Sequence, residues 1–148
     1  MPDTRSGSPE DDWRLVPYIA PSGHSAVMDF LGELHRTEPK SFIKFHEIVV
    51  PRLEERGPFH VGPPMWEGLG DGLWEIRWGR CRIYCSIEHV RRVFMYDGVI
   101  KRWRAFDKTD RQRCQQGRAD VASGDYDEEE REYLYHDCCQ KRQTNGPA

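Results

Sequence analysis

The chain of 148 residues has no apolar run approaching the ~20 residues that cross a bilayer, so no membrane span is expected. Its first residues, MPDTRSGSPEDDW, contain no apolar stretch, so no secretion signal is expected either. The five cysteines are odd in number, and none forms a C-x-x-C pair. Cys81 and Cys85, four apart on a strand, would point the same way but lie about 13 Å apart, too far to share a metal or a disulfide. Cys138 and Cys139 are neighbours in a polar tail. This usage fits reduced cysteines and a cytoplasmic protein. His46-Glu47 opens like a zinc-protease helix motif, but Val50 stands where the second histidine is needed. The acidic run from Asp125 has no mid-loop glycine for a calcium loop and reads as a solvated face. No metal and no cofactor are expected, and no nucleophile motif of the G-x-S-x-G kind is present.

Charge is scarce in sum and uneven in place. The net charge is −3. Residues 1–72 carry 7 Lys+Arg against 12 Asp+Glu, residues 73–118 carry 12 against 5, and residues 119–148 carry 3 against 8. A basic centre between acidic flanks suits a site for an anionic polymer.

In chain order, residues 1–12 read as disordered and residues 13–123 as one domain, with residues 124–148 an acidic C-terminal extension. Trp13 to Ile19 reads as an edge strand, since Pro17 cannot donate to a ladder. Ser25 then caps a helix whose apolar positions Val27, Phe30, Leu31 and Leu34 form one stripe. A second helix starts near Thr37, with Phe42, Phe45, Val49 and Leu53 as its inner face. Pro51 should kink it or end its regular part, and Gly57-Pro58 closes it. Residues 58–72 read as a Pro- and Gly-rich connection. Gly68, Gly70 and Gly72 precede a strand rather than following one, so they do not read as a phosphate-cradling loop. From Leu73 to Arg104, β-branched and aromatic runs read as antiparallel strands, with turns at Gly79-Arg80, Glu88-His89 and Asp97-Gly98. Phe106 to Val121 is a last helix, capped by Asp107 and ending near Ser123-Gly124.

The strands carry arginine and lysine where a plain core would carry serine or threonine: Arg77, Arg80, Arg82, Arg91, Arg92, Lys101, Arg102 and Arg104. Arginine's planar fork binds phosphate bidentately and keeps its charge. Trp74, Trp78, Tyr84, Tyr96 and Trp103 lie among these cations, as base-stacking groups or as core. A cation-bearing sheet with aromatics points to RNA or DNA.

The run LGDGLWEIR (69–77), then RIY (82–84), then a strand ending in Tyr96-Asp97-Gly98-Val99-Ile100-Lys101-Arg102, resembles the RelE/ParE toxin superfamily, nearest its HigB-like, phage-related branch. The resemblance spans residues 13–121. It implies an α+β, RelE-like fold: an N-terminal helical hairpin packed on an antiparallel sheet of about four strands, followed by a C-terminal helix. It also implies a type II toxin, a metal-independent endoribonuclease that cuts mRNA on the ribosome and is held in check by a helix-turn-helix antitoxin. In such enzymes the substrate's own 2′-OH attacks the adjacent phosphate. By position, the resemblance implies catalytic roles for Arg77, Arg82, Tyr84, Lys101 and Arg102. Arg77, Arg82 and Arg102 would meet phosphate charge, while Lys101, Tyr84 or Tyr96 would move the proton. A lysine in that role needs a lowered pKa, which neighbouring cations supply. Arg80, Arg91, Arg92, Tyr96, Trp103 and Arg104 are the candidate RNA contacts.

Two other functions share this fold. One is a ParE-like inhibitor of DNA gyrase; the other is a non-catalytic phage or mobile-element binding protein. Convergent cations favour cleavage, because a protein inhibitor does not need them.

Overall fold

A computed structural model of the chain describes residues 12–100 and 106–124. Its elements run β1 (Arg14–Pro17), α1 (Ala26–Thr37), α2 (Pro39–Lys44), a π segment (Phe45–Val49), α3 (Val50–Arg56), the single turn α4 (Pro58–Val61), β2 (Trp66–Gly70), β3 (Leu73–Trp78), β4 (Cys81–Glu88), β5 (Arg92–Ile100) and α5 (Lys108–Ser123). The architecture is α+β. The sheet has five strands in the order β1-β5-β4-β3-β2. It is mixed, because β1 pairs parallel with β5 while the other pairs are antiparallel. The expected four-stranded antiparallel sheet is corrected on both counts, and β1 precedes the helices.

Local chemistry explains the helices. Ser25 starts α1: its hydroxyl accepts from the Met28 N–H at 3.3 Å and donates to the Tyr18 carbonyl at 2.8 Å. Val27, Leu31 and Leu34 form the buried stripe, with Phe30 partly buried beside them. The second helical run is continuous through Pro51. The nitrogen of Pro51 cannot donate, and its ring crowds the turn before it. The chain absorbs this by widening that turn, so that the Val50 N–H reaches the Phe45 carbonyl, five residues back. Phe42, Phe45, Val49 and Leu53 are still buried together.

Residues 58–72 hold more order than their composition suggests. Trp66–Gly70 is a strand, closed onto β3 by the turn at Asp71-Gly72. The turn expected at Asp97-Gly98 is absent, and β5 runs straight through it. A register shift between Tyr84 and Cys85 leaves Tyr96 as an extra residue in β5, so the ladder bulges and continues. Gly98 is needed there because a Cβ would sit 2.6 Å from Cγ of Phe30.

The sheet has two differently covered faces. α1 and the second helical run cover one face, over Leu15, Ile76, Trp78, Ile83, Val93 and Met95. α5 lies on the other, over Val16, Tyr18, Leu73, Tyr84, Phe94 and Tyr96. Asp107 and Asp110 cap α5 reciprocally, and Gly124 ends it at φ +84°. One face of α5 grips the β2–β3 turn: Arg111, Gln115 and Arg118 all donate to carbonyls of residues 69–71. Arg118 also pairs with Glu88 at 2.7 Å. Held there, α5 stops short of the sheet end where β3 turns into β4. Val99, which pairs with Arg82 on the part of that face beyond α5, is 37% exposed.

Candidate functional site

The end of the α5-side face that no described residue covers is built by β3 and β4. The ladder sets Arg77 directly opposite Arg82, and Glu75 directly opposite Tyr84. Alternation puts Arg82 and Tyr84 on this face and Cys81, Ile83 and Cys85 in the helix-side core. Facing cations repel, so counter-charge or a ligand is needed. Arg77 has its counter-charge in the structure. Its Nη1 is 3.4 Å from Glu67 Oε1, and its Nε is 3.6 Å from Glu75 Oε2. Arg82 instead donates from Nη1 to the carbonyls of Gly79 and Cys81, at 2.9 and 2.8 Å.

Two polar atoms here lack partners among the described residues. Glu75, with a side chain 7% exposed, has a buried Oε1 with no donor, and the buried Nε of Arg82 has no acceptor. Trp66 Nε1 is the other such atom. An orphaned acceptor and an orphaned donor, diagonal across one ladder, are a costly combination.

The other expected residues scatter. Arg80 is exposed in the β3–β4 turn, at the same sheet end. Arg91, at φ +57°, and Arg92 lie at the opposite end, about 20 Å away by strand rise from Arg82. Arg92 is 8% exposed and donates from Nη1 to the Asp12 carbonyl at 2.9 Å. Arg92 is therefore a structural residue, which corrects its expected RNA contact. Tyr96 is corrected likewise. It is 4% exposed, its hydroxyl is 2.7 Å from Ser86 Oγ, and burial pushes its phenol far above the ordinary range. A buried ring cannot stack on a base, and so high a pKa does not suit proton transfer near neutral pH. Tyr84 is 3% exposed and packs on Phe106, at 4.5 Å between ring centroids. It supports the floor of the site. Trp74 stacks on Trp66 and Trp78 on Phe45, both as core. Lys101, Arg102, Trp103 and Arg104 lie outside the described residues.

Four residues of this region went unread in the sequence. Glu67 and Glu75 hold Arg77, and the acid inside the otherwise apolar run Leu73–Ile76 was the available signal. Lys44 and Arg52, from the second helical run, line a cleft of about 450 Å³ together with Arg77 and Arg82. Among the described residues no group of three or more His, Cys, Asp or Glu is gathered as for a metal, and no helix is long and apolar enough to cross a membrane. No protein-family model matches the chain, and no curated protein matches it.

Proposed function

We propose that this chain is an RNA-cleaving toxin of the RelE/ParE kind, acting on mRNA at the ribosome and restrained by a helix-turn-helix antitoxin. The observation that carries the reading is the facing pair Arg77 and Arg82, with the orphaned Glu75 Oε1 and Arg82 Nε beside it. A ribose 2′-OH next to a phosphodiester carries both missing functions, a donor for the carboxylate and an acceptor for the guanidinium, and in this reading the Glu75 and Arg82 side chains turn outward to meet it. The element order also suits a RelE-like fold, with two helical runs on one sheet face, a meander ending at Ile100, and a last helix.

In this reading Glu75 takes the 2′-OH proton as O2′ attacks phosphorus. Arg77 and Arg82 stabilise the added charge on the pentavalent phosphate, and Glu67 keeps Arg77 oriented. The P–O5′ bond breaks, and O5′ leaves with a proton. Lys101, which follows the last residue of β5, is the group assigned to supply it. The products are a 2′,3′-cyclic phosphate and a 5′-hydroxyl end, so atoms and charge balance without a metal.

The test is induced expression in a bacterial host, with primer extension on an abundant transcript, for the native chain and for Arg82→Ala combined with Lys101→Ala. New ends within translated codons that vanish in the double variant are expected. Growth arrest without such ends, accompanied by DNA damage, would move the reading to gyrase. No arrest at all would leave a binding protein on this fold.

A further inference from the structure

We infer that the cleft between the second helical run and the β3–β4 turn is a second phosphate-binding subsite, in which Lys44 and Arg52 hold the backbone of single-stranded RNA next to the Arg77–Arg82 pair. The inference rests on the reading of the chain as an RNA-cleaving protein, and it extends the site from one phosphate to a tract.

The first argument is the sign of the charge. Lys44, Arg52, Arg77 and Arg82 line the cleft, and among the described residues no acidic side chain does. Two other clefts carry both signs. One sets Asp12, Glu54 and Glu55 among Arg14, Arg56 and Arg91, and the other sets Asp97 and Asp120 beside Arg113. At about 450 Å³ the single-signed cleft is within the range of ligand sites and admits a nucleotide-sized unit.

The second argument is that these cations are not used by the fold. Arg36, Arg111, Arg113 and Arg118 each pair with a carboxylate. Lys44 and Arg52 are exposed and have no ion-pair partner among the described residues. Their stability role is therefore small, and their shared position calls for another reason.

The third argument is how they come to share the cleft. Eight residues of regular α-helix would leave two side chains about 80° apart around the axis. The π segment Phe45–Val49 lies between them and takes up one extra residue, which removes most of that offset. The wide turn that accommodates Pro51 thus also brings Lys44 and Arg52 to one side, facing the β3–β4 turn. Pro63 and Pro64 wall the cleft with backbone that cannot compete as a donor.

The experiment uses the full chain and a short fluorescein-labelled single-stranded RNA, 2′-O-methylated throughout so that it cannot be cut. Binding is read by fluorescence anisotropy between roughly 50 and 200 mM salt. With two phosphate contacts removed, Lys44→Gln/Arg52→Gln should lower the slope of log affinity against log salt by about 1.4 and weaken binding about tenfold. Both positions are exposed, and circular dichroism checks that the fold is kept. An unchanged slope and affinity in the double variant would overturn the subsite, as would a native chain that does not bind the RNA. If the native chain binds, the double variant weakens as expected, and the native chain cuts no mRNA in a translating extract, the subsite stands and the endonuclease reading falls.

Discussion

Arg77 and Arg82 face each other across the β3–β4 ladder, and among the described residues carboxylates stand beside Arg77 alone. The two arginines are therefore unequal in what they do for the fold. Facing like charges cost a few tenths of a kcal/mol to about 1 kcal/mol. Arg82→Ser removes that repulsion and an orphaned donor but also the two hydrogen bonds to the Gly79 and Cys81 carbonyls, so thermal stability should change little. Arg77→Ser strands Glu75 and Glu67 beside each other and should cost about 1–2 kcal/mol. Calorimetry on the two variants checks the asymmetry, while both should lose RNA cleavage. Equal destabilisation by the two would mean that the pair is structural.

Glu75 separates a positioning role from proton transfer. Glu75→Gln keeps the shape and a hydrogen-bonding group near Arg77 but cannot accept the proton. Cleavage should fall by about 10²–10⁴ with RNA affinity little changed. Glu67→Gln, which acts only through Arg77, should cost far less. A Glu75→Gln variant with near-native rate would reassign the base.

Gly98 is a packing requirement inside a strand. The ring of Phe30 occupies the space where a Cβ would stand. Gly98→Ala should destabilise by about 1–3 kcal/mol through overpacking. Phe30→Leu in the same chain should recover part of that loss, and a double-mutant cycle by denaturant unfolding measures the coupling. Additive losses would show that the two sites do not touch in solution.

The buried thiols set an alkaline limit. Burial, with Asp97 and Asp110 adding to it, pushes the Cys114 thiol up to about 12, and burial raises Cys85 and Cys81 as well. A folded pKa above the unfolded value means that the folded state keeps its proton longer. That contribution is fully present below about pH 9 and is lost as pH rises towards 12. Stability should therefore fall above pH 9, with Tyr96 steepening the fall. Cys114→Ala should flatten the limb between pH 9 and 11, as read by urea unfolding across that range. An unchanged limb would place the transition on other groups.

Much of this architecture is legible in single residues. Ser25 and Asp107 announce their helices because caps act over three residues, and the stripe Phe42, Phe45, Val49, Leu53 holds because burial follows helical period. What escapes is decided at a distance. Asp97-Gly98 has the composition of a hairpin turn, yet Phe30, nearly seventy residues earlier, fills the glycine's open side and keeps the strand running. Trp66–Gly70 hides among prolines and glycines because a strand needs only a neighbour, and β3 supplies it. At the site, Arg77 and Arg82 are visible as cations, but their opposition depends on register. Glu75 reads as a strand residue until its burial is known, and Lys44 and Arg52 share a side only because a turn widened.

The parallel pairing of β1 with β5 has a consequence for how the chain is made. Arg14 finds its ladder partner only at Arg92, so the sheet cannot close until most of the domain has been synthesised. Until then β1 is an apolar strand with no neighbour to pair with. Such distant contacts slow folding, because loop entropy is lost before pairing compensates for it. A nascent copy thus passes through a stage with one sheet edge open, at which a strand-adding partner, or a second unfinished chain, has its best chance of capture.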